Sequence, residues 1–347
     1  MTGYLRQPVF FFLILLWLLP LVGCSSSPAV PTATPTASED TGGLSEDALA
    51  TLRSVEKVDD HPLFVMHYQG GYDPAVSARS AALLPDLEKA CSLFAALGDP
   101  GNLLFGRNFY WGGSPALLLF TDPPDGYASV SLVNLDYLTA DATAARHTTE
   151  LSLIERQFLL EAPFLPIDGI NEYGLVIAMA AVSYSGGEDD PDKPTIGSLP
   201  IIREILDNAR TTDEAVAIFT AYNIDFTGGP PLHYLITDRL GKAVLVEYYQ
   251  GNMYVLPNAD PWHIATNYLR CTPNGDGGCT RFNTISERLT AAGGKLTPGE
   301  AMGLLSEVSQ PFTDWSVVFE INTGKISIVM GGHYDTVHVF QLSQEDP

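Results

Sequence analysis

The feature that most constrains the fold of this chain is a series of short apolar or alternating runs along most of its length, some joined by tight turns. Leu63–Tyr68, Ala116–Thr121, Leu175–Val182, His233–Thr237, Ala243–Tyr249, Ser316–Ile321 and Ile326–Met330 each have the length and character of a strand. Asp238-Arg239-Leu240-Gly241 joins one pair and Asn322-Thr323-Gly324 another, so both pairs read as antiparallel hairpins. Helical signals are fewer. Leu199–Ala209 has Pro200 near its start. Thr211-Thr212-Asp213-Glu214 and Thr297-Pro298-Gly299-Glu300 read as capping boxes, and Arg281–Ala291 stops at Gly293-Gly294. Strand pairs with helices grouped between them predict an α+β layered domain rather than βαβ units.

The N-terminal end obeys different rules. Arg6 precedes an apolar run, Val9–Leu21, of the length of a signal core and too short to span a bilayer. The run ends in Leu21-Val22-Gly23-Cys24, which resembles the lipobox of bacterial lipoproteins: small Gly23 fits the peptidase and the Cys24 thiol takes the lipid. Residues 1–23 are expected to be a signal peptide, with the mature chain exported and lipid-anchored to the cell membrane surface through Cys24. An ordinary secretory signal with an incidental cysteine is the alternative. Residues 24–45, rich in Ser, Thr, Pro and Ala, cannot bury enough apolar surface to fold and are expected to be a disordered spacer.

With 41 acidic against 18 basic residues the net charge is −23, which excludes a nucleic-acid partner and leaves the lipid as the only expected membrane contact. Nothing in the sequence sets an oligomeric state. Three cysteines remain once Cys24 is assigned to lipid. Cys271 and Cys279 flank a glycine-rich turn that could close a disulfide or leave two thiols. Cys91 is then the odd one, either an inert core thiol or a reactive one. No H-E-x-x-H or C-x-x-C spacing suggests a metal, and no G-x-S-x-G elbow or phosphate loop is present.

The surroundings of Cys91 say more. Ala90-Cys91-Ser92-Leu93-Phe94-Ala95-Ala96, the turn Gly98-Asp99-Pro100-Gly101, and Leu103-Leu104-Phe105-Gly106-Arg107-Asn108-Phe109 read as strand, turn and strand. That hairpin brings Cys91 near Arg107, and a guanidinium beside a thiol favours the thiolate. A surface ion pair is the plainer reading.

Cys91-Ser92 followed by Phe105-Gly106-Arg107-Asn108 resembles the N-terminal-nucleophile hydrolases of the choloylglycine hydrolase and penicillin acyltransferase group, which includes acid-ceramidase-like amidases. In the same order, Asp168-Gly169-Ile170-Asn171-Glu172-Tyr173-Gly174-Leu175 resembles the family's D-G-x-N-E-x-G-L hairpin, Ala265-Thr266-Asn267 its T-N motif and Thr280-Arg281-Phe282 its R-F motif.

The resemblance implies a four-layer αββα sandwich, a self-made cut between Ala90 and Cys91, and hydrolysis of a linear non-peptide amide through a Cys91 thioester, or transfer of that acyl group. It implies the freed α-amine as base, since such amines titrate near 7.7–8.0. Asn267 and a backbone N–H near Ala181 become oxyanion donors. Arg107 and Arg281 hold the cysteine, with Tyr110 and Asn171 adjacent, and no cofactor or metal is implied. The partner is a small-molecule N-acyl amide with an apolar acyl group, for which Phe105, Phe109, Trp111 and Phe164 are candidate lining, or simply core. The family's Asp three residues after the arginine is here Tyr110.

Residues 46–90 are expected to stay packed on the 91–340 catalytic domain after the cut, because Leu63–Tyr68 and Ala81–Leu87 carry core-type side chains; a discarded leader is the alternative. A surface solute-binding lipoprotein or an inactive relative of the enzymes is the competing function.

Overall fold

The computed structural model describes residues 42–72, 91–187, 189–272 and 278–345. The expected signal peptide, the lipid site Cys24, the spacer up to residue 41, the Ala81–Leu87 run and Ala90 lie outside the described residues.

The chain enters through α1 (Glu46–Arg53), capped by Ser45, and a hairpin of β1 (Glu56–Asp59) and β2 (Leu63–His67). Then come β3 (Ser92–Ala96) and β4 (Leu104–Phe109), followed by β5 (Ala116–Thr121) and β6 (Ser129–Asn134). The short helix α2 (Ala142–Arg146) lies on the way to β7 (Pro166–Asn171) and β8 (Val176–Ala181). A small parallel pair, β9 (Thr195–Gly197) and β10 (Asn223–Asp225), brackets α3 (Pro200–Asn208) and α4 (Thr212–Ala221). Four strands follow: β11 (Leu232–Thr237), β12 (Ala243–Tyr249), β13 (Asn252–Pro257) and β14 (Trp262–Ala265). The chain ends with α5 (Thr280–Ala292), α6 (Pro298–Glu307), β15 (Trp315–Glu320), β16 (Lys325–Met330) and β17 (His338–Gln341).

Nine strands form one sheet in the order β1-β2-β5-β6-β7-β8-β11-β12-β13, and six form a second, β14-β3-β4-β15-β16-β17. Helices α3 and α4 pack on the first, α5 and α6 on the second, and β3 meets β8 and β11 between them. That is the four-layer αββα sandwich. Sheets covered on both faces explain why β2, β5 and β8 read as continuous apolar runs instead of alternating ones. Along β3 the two faces separate: Leu93 and Ala95 join the core between the sheets, while Phe94 and Ala96 join the core under α5 and α6. Phe94 faces Gly106 across the β3–β4 ladder, where a Cβ would stand 2.3 Å from its ring, so only glycine fits there.

The turn and cap signals act as their chemistry requires. The Thr297–Glu300 capping box forms reciprocally at α6. Only half of the expected box forms at α4: Thr211 accepts from the Glu214 N–H, but the Glu214 carboxylate turns back to the Arg210 N–H at 2.6 Å. Gly293, at φ 60°, ends α5, and Gly294 accepts from the Gly98 N–H at 2.9 Å, docking the β3–β4 turn on that helix end. The N-terminal hairpin is built into the large sheet, with β2 parallel to β5. Leu63, Phe64 and Met66 are fully buried there, each contributing roughly 1.5–3 kcal/mol.

Candidate active site

Cys91 is the buried residue just before β3. Leu93 faces Arg107 in the β3–β4 ladder. Side chains alternate along a strand, so Cys91, Leu93 and Arg107 look into the space between the sheets, and Ser92 and Asn108 look toward the helices. On the other side of β3, Ala265 faces Leu93. Two further steps along that register set Asn267 beside Cys91.

Arg281, in the first turn of α5, ties these pieces together. Its Nη1 donates to the Cys91 carbonyl and, at 2.9 Å, to Ser92 Oγ, and its Nη2 donates to Asn267 Oδ1 at 3.0 Å. A guanidinium only donates, so this contact fixes which end of the Asn267 amide is oxygen. The nitrogen end faces β8, where Nδ2 donates to the Ala181 carbonyl at 2.8 Å. An amide nitrogen carries two N–H groups, and this bond uses one. The Val182 N–H bonds to Pro231 on the β11 side at 2.9 Å. By alternation, both backbone groups of Ala181 point to the opposite edge, toward Asn267.

Arg107 is fully buried and reaches across to the other sheet. Its Nη1 donates to the Ile167 carbonyl at 2.9 Å and pairs with Asp168, and its guanidinium lies 4.7 Å from the Phe109 ring centre. Its Nε and Nη2 have no protein partner among the described residues. Burial pushes the Asp168 carboxyl up to about 6, outweighing the neighbouring guanidinium. Tyr137, in the helical turn that follows β6, closes this side. Burial first, and then the charge of Cys91, set its hydroxyl well above the ordinary phenol range, against the opposing pull of the Arg107 guanidinium. Its ring meets Trp111 edge-on at 6.0 Å. Neither Tyr137 nor the Arg107–Asp168 pairing was foreseen. A tyrosine just past a strand carries no motif, and an ion pair between sheets leaves no spacing to read.

Other expected positions behave differently. Asn171 is occupied elsewhere: its amide nitrogen donates to the Leu206 and Ala209 carbonyls at 3.0 and 2.7 Å, and its oxygen accepts from Tyr173 and Leu175. It fastens the β7–β8 turn to the end of α3 and makes none of these bonds with the Cys91 group. Tyr110 follows β4, half-buried. The loop after it is held by Asp314, which accepts from the backbone of Trp111, Gly113 and Ser114 at 2.6, 2.6 and 3.0 Å. Phe105, Phe109 and Trp111 are buried, with Phe109 stacked between Trp111 and Trp315 at 5.3 and 4.2 Å, while Phe164 packs on Tyr72 at 5.9 Å. Cys271 and Cys279 are free thiols here, not a disulfide. Cys271 lies against Glu247, and burial followed by that contact pushes its thiol up to about 12. Among the described residues no group of three His, Cys, Asp or Glu side chains is placed to hold a metal ion.

The family model of the linear amide C–N hydrolases, choloylglycine hydrolase family, matches residues 91–268, beginning at Cys91. The chain belongs to this family. A mutant of the conjugated bile acid hydrolase from Clostridium perfringens is 15% identical, with a TM-score of 0.54, over 74% of this chain and 93% of that one. A second variant of the same hydrolase gives 16% and 0.53 over 74% and 94%. At that identity the likeness concerns the fold alone, and it is the N-terminal-nucleophile hydrolase fold. An uncharacterised protein of Paramecium bursaria Chlorella virus 1 is 30% identical over 110 residues. That match spans 29% of this chain and 39% of the viral protein. Cys91, Ala181 and Asn267 all lie inside the stretch matched by the choloylglycine hydrolase family, while Arg281 lies just beyond it.

Proposed function

We propose that the chain is a self-processing cysteine amidase, exported and lipid-anchored through Cys24, that hydrolyses a linear N-acyl amide with an apolar acyl group. The observation that carries the reading is the Arg281 bridge, which holds the Cys91 carbonyl, Ser92 and Asn267 in one cluster and leaves the Asn267 amide nitrogen facing the Ala181 backbone. The family match beginning at Cys91 supports a chain that starts there when mature.

In this reading the Cys91 thiol attacks the Ala90 carbonyl, the Ala90–Cys91 C–N bond breaks to free the α-amine and leave Ala90 as an ester on sulfur, and water then hydrolyses that thioester to return the thiol. That amine takes the thiol proton as sulfur attacks a substrate carbonyl. The second Asn267 N–H and the Ala181 N–H stabilise the oxyanion. The amine product leaves with the proton, and water, or a second amine, takes the acyl group from sulfur. The Nε and Nη2 of Arg107, which carry no hydrogen bond among the described residues, remain available on the same interior side of β4. The fragment from α1 to β2 stays packed after the cut, supported by its burial in the large sheet.

The test is intact mass. The soluble domain, residues 46–347, should run as two chains, the larger starting at Cys91, and should turn over a phenylacetyl or fatty-acyl p-nitroanilide. Cys91→Ala should stay one chain and be inactive. A Cys91→Ala protein that turns over the anilide as fast as the native sequence would refute the reading.

A further inference from the structure

Two buried side chains that the proposed reaction does not use grip the segment presenting Asn267. His233 on β11 and Glu247 on β12 have fully buried side chains and meet at 2.9 Å, Nδ1 to Oε1. The other ring nitrogen, Nε2, lies 2.8 Å from the Thr266 carbonyl, one residue before Asn267. The carboxylate also takes the N–H groups beyond: Oε1 accepts from Arg270 at 2.9 Å and Oε2 from Cys271 at 2.7 Å. One pair of side chains from the first sheet therefore holds the backbone on both sides of Asn267, which hangs from the second sheet.

The hydrogen bonds set where the protons are. A neutral imidazole has one N–H and one lone pair. His263 shows that pattern nearby: its Nδ1 faces the Arg270 guanidinium at 3.2 Å and its Nε2 the Leu256 carbonyl at 2.9 Å. Burial, with Arg270 adding to it, pushes His263 down to about 4, so it is neutral. His233 faces a carbonyl at one nitrogen and a carboxylate at the other. Both Glu247 oxygens already accept backbone N–H bonds, which favours the ionised form. Burial opposes that ionisation, but the His233 and backbone contacts outweigh it and hold Glu247 below the usual carboxylate range. Near the pair among the described residues also lie the Arg270 guanidinium, turned away to His263, and the protonated Cys271 thiol.

We propose that His233 and Glu247 form a buried imidazolium–carboxylate pair that acts as a positioning device for catalysis, fixing Thr266 and hence the Asn267 amide. This rests on the reading of Asn267 as an oxyanion donor. If the ring loses its second proton, one of its two acceptors faces a lone pair, and the Thr266 carbonyl is released.

The first experiment needs no variant of the pair. Nitrogen NMR of ring-labelled histidine in the 46–347 protein at neutral pH should show His233 with two N–H protons and His263 with one. A single N–H on His233 overturns the proposal. The second uses Glu247→Gln and His233→Gln, read by the rate of self-cleavage and by kcat and KM on the p-nitroanilide. Misplacing a reacting group by even about 1 Å can cost on the order of 10²-fold, so kcat should fall about that far with KM little changed. Glu247→Gln should also leave the His233 ring with one N–H. Well-folded variants that keep the native kcat and cleavage rate overturn the proposal. Failure of the amidase reading itself shows separately, as a Cys91→Ala protein that still turns over substrate whatever the His233 spectrum.

Discussion

Replacing Asn267 separates the scaffolding of the site from its chemistry. Asn267→Ala removes two hydrogen bonds, one from its Nδ2 to the Ala181 carbonyl at 2.8 Å and one from Arg281 to its Oδ1 at 3.0 Å. A neutral bond contributes about 1 kcal/mol and one to a charged group about 1.5–3. Asn267 and Arg281 are half-exposed, so the lower end applies and about 2 kcal/mol of folding stability should be lost. The loss in kcat should be larger, roughly 10²–10³-fold, if the amide also donates to the oxyanion. Asn267→Asp sharpens the contrast. It keeps, and strengthens, the bond from Arg281. It also sets a carboxylate oxygen against the Ala181 carbonyl and puts negative charge where negative charge would develop, so kcat should fall at least as far as in Asn267→Ala. Urea denaturation and single-turnover hydrolysis of the anilide measure the two effects. If both variants lose about 2 kcal/mol while kcat stays within about tenfold of native, Asn267 is scaffold and the oxyanion assignment fails.

Asp168→Ala should cost about 3–5 kcal/mol, because it leaves the fully buried Arg107 guanidinium unpaired; denaturant midpoints check this, and a change below about 1 kcal/mol would mean that the cation finds water. Asp314 is pushed up to about 7 by burial in spite of its three backbone donors, so its contribution to stability is full below the ordinary carboxylate value and is lost as pH rises through about 7. Asp314→Asn should therefore flatten the fall in stability between about pH 4 and 7, from the ordinary carboxylate value to the raised one; an unchanged profile would clear Asp314 of that role. Tyr110→Asp, which restores the family's carboxylate, should move the acid limb of kcat/KM to higher pH by holding the α-amine charged, whereas an active variant with an unmoved limb would show that position 110 does not reach the amine. Membrane fractions should yield a lipid-modified Cys24 fragment and a Cys91 chain that separate in denaturing gels but migrate together in native ones. Finding the Cys91 chain alone in the medium would rule out the retained fragment.

What could be read in the sequence divides along physical lines. Strands covered on both faces declare themselves by apolar runs, and Ala116–Thr121 and Ala243–Tyr249 are observed with the expected bounds. β6 and β7 do not. Ser129 and Ser131 place hydroxyls on the buried strand β6, where Ser129 bonds to Thr121 and Arg203. Pro166-Ile167-Asp168-Gly169 carries a proline, a carboxylate and a glycine that mask its strand character, yet it opens β7 and sets Asp168 against Arg107 from the other sheet. Cys91, Asn267 and Arg281 were legible because short motifs mark them, and the structure brings them together. Asn171 sits in a motif as clear as theirs, yet its bonds go to α3. His233, Glu247 and Tyr137 have no local signature, since their meaning comes from neighbours supplied by other strands.

The parallel pairing of β2 with β5 sets the terms on which such an enzyme could last. In an uncut chain the N-terminal hairpin is covalently tethered to the rest, which gives the pairing an effective concentration far above that of separate molecules. A cut before Cys91 abolishes that advantage. Once apart, the pieces would have to meet by diffusion at their dilute concentrations, and the larger would expose the β5 edge, where free backbone groups invite aggregation. Refolding would then be an event open to the precursor and closed to the product. The mature protein's lifetime would be governed by how slowly β2 leaves β5, a rate rather than an equilibrium.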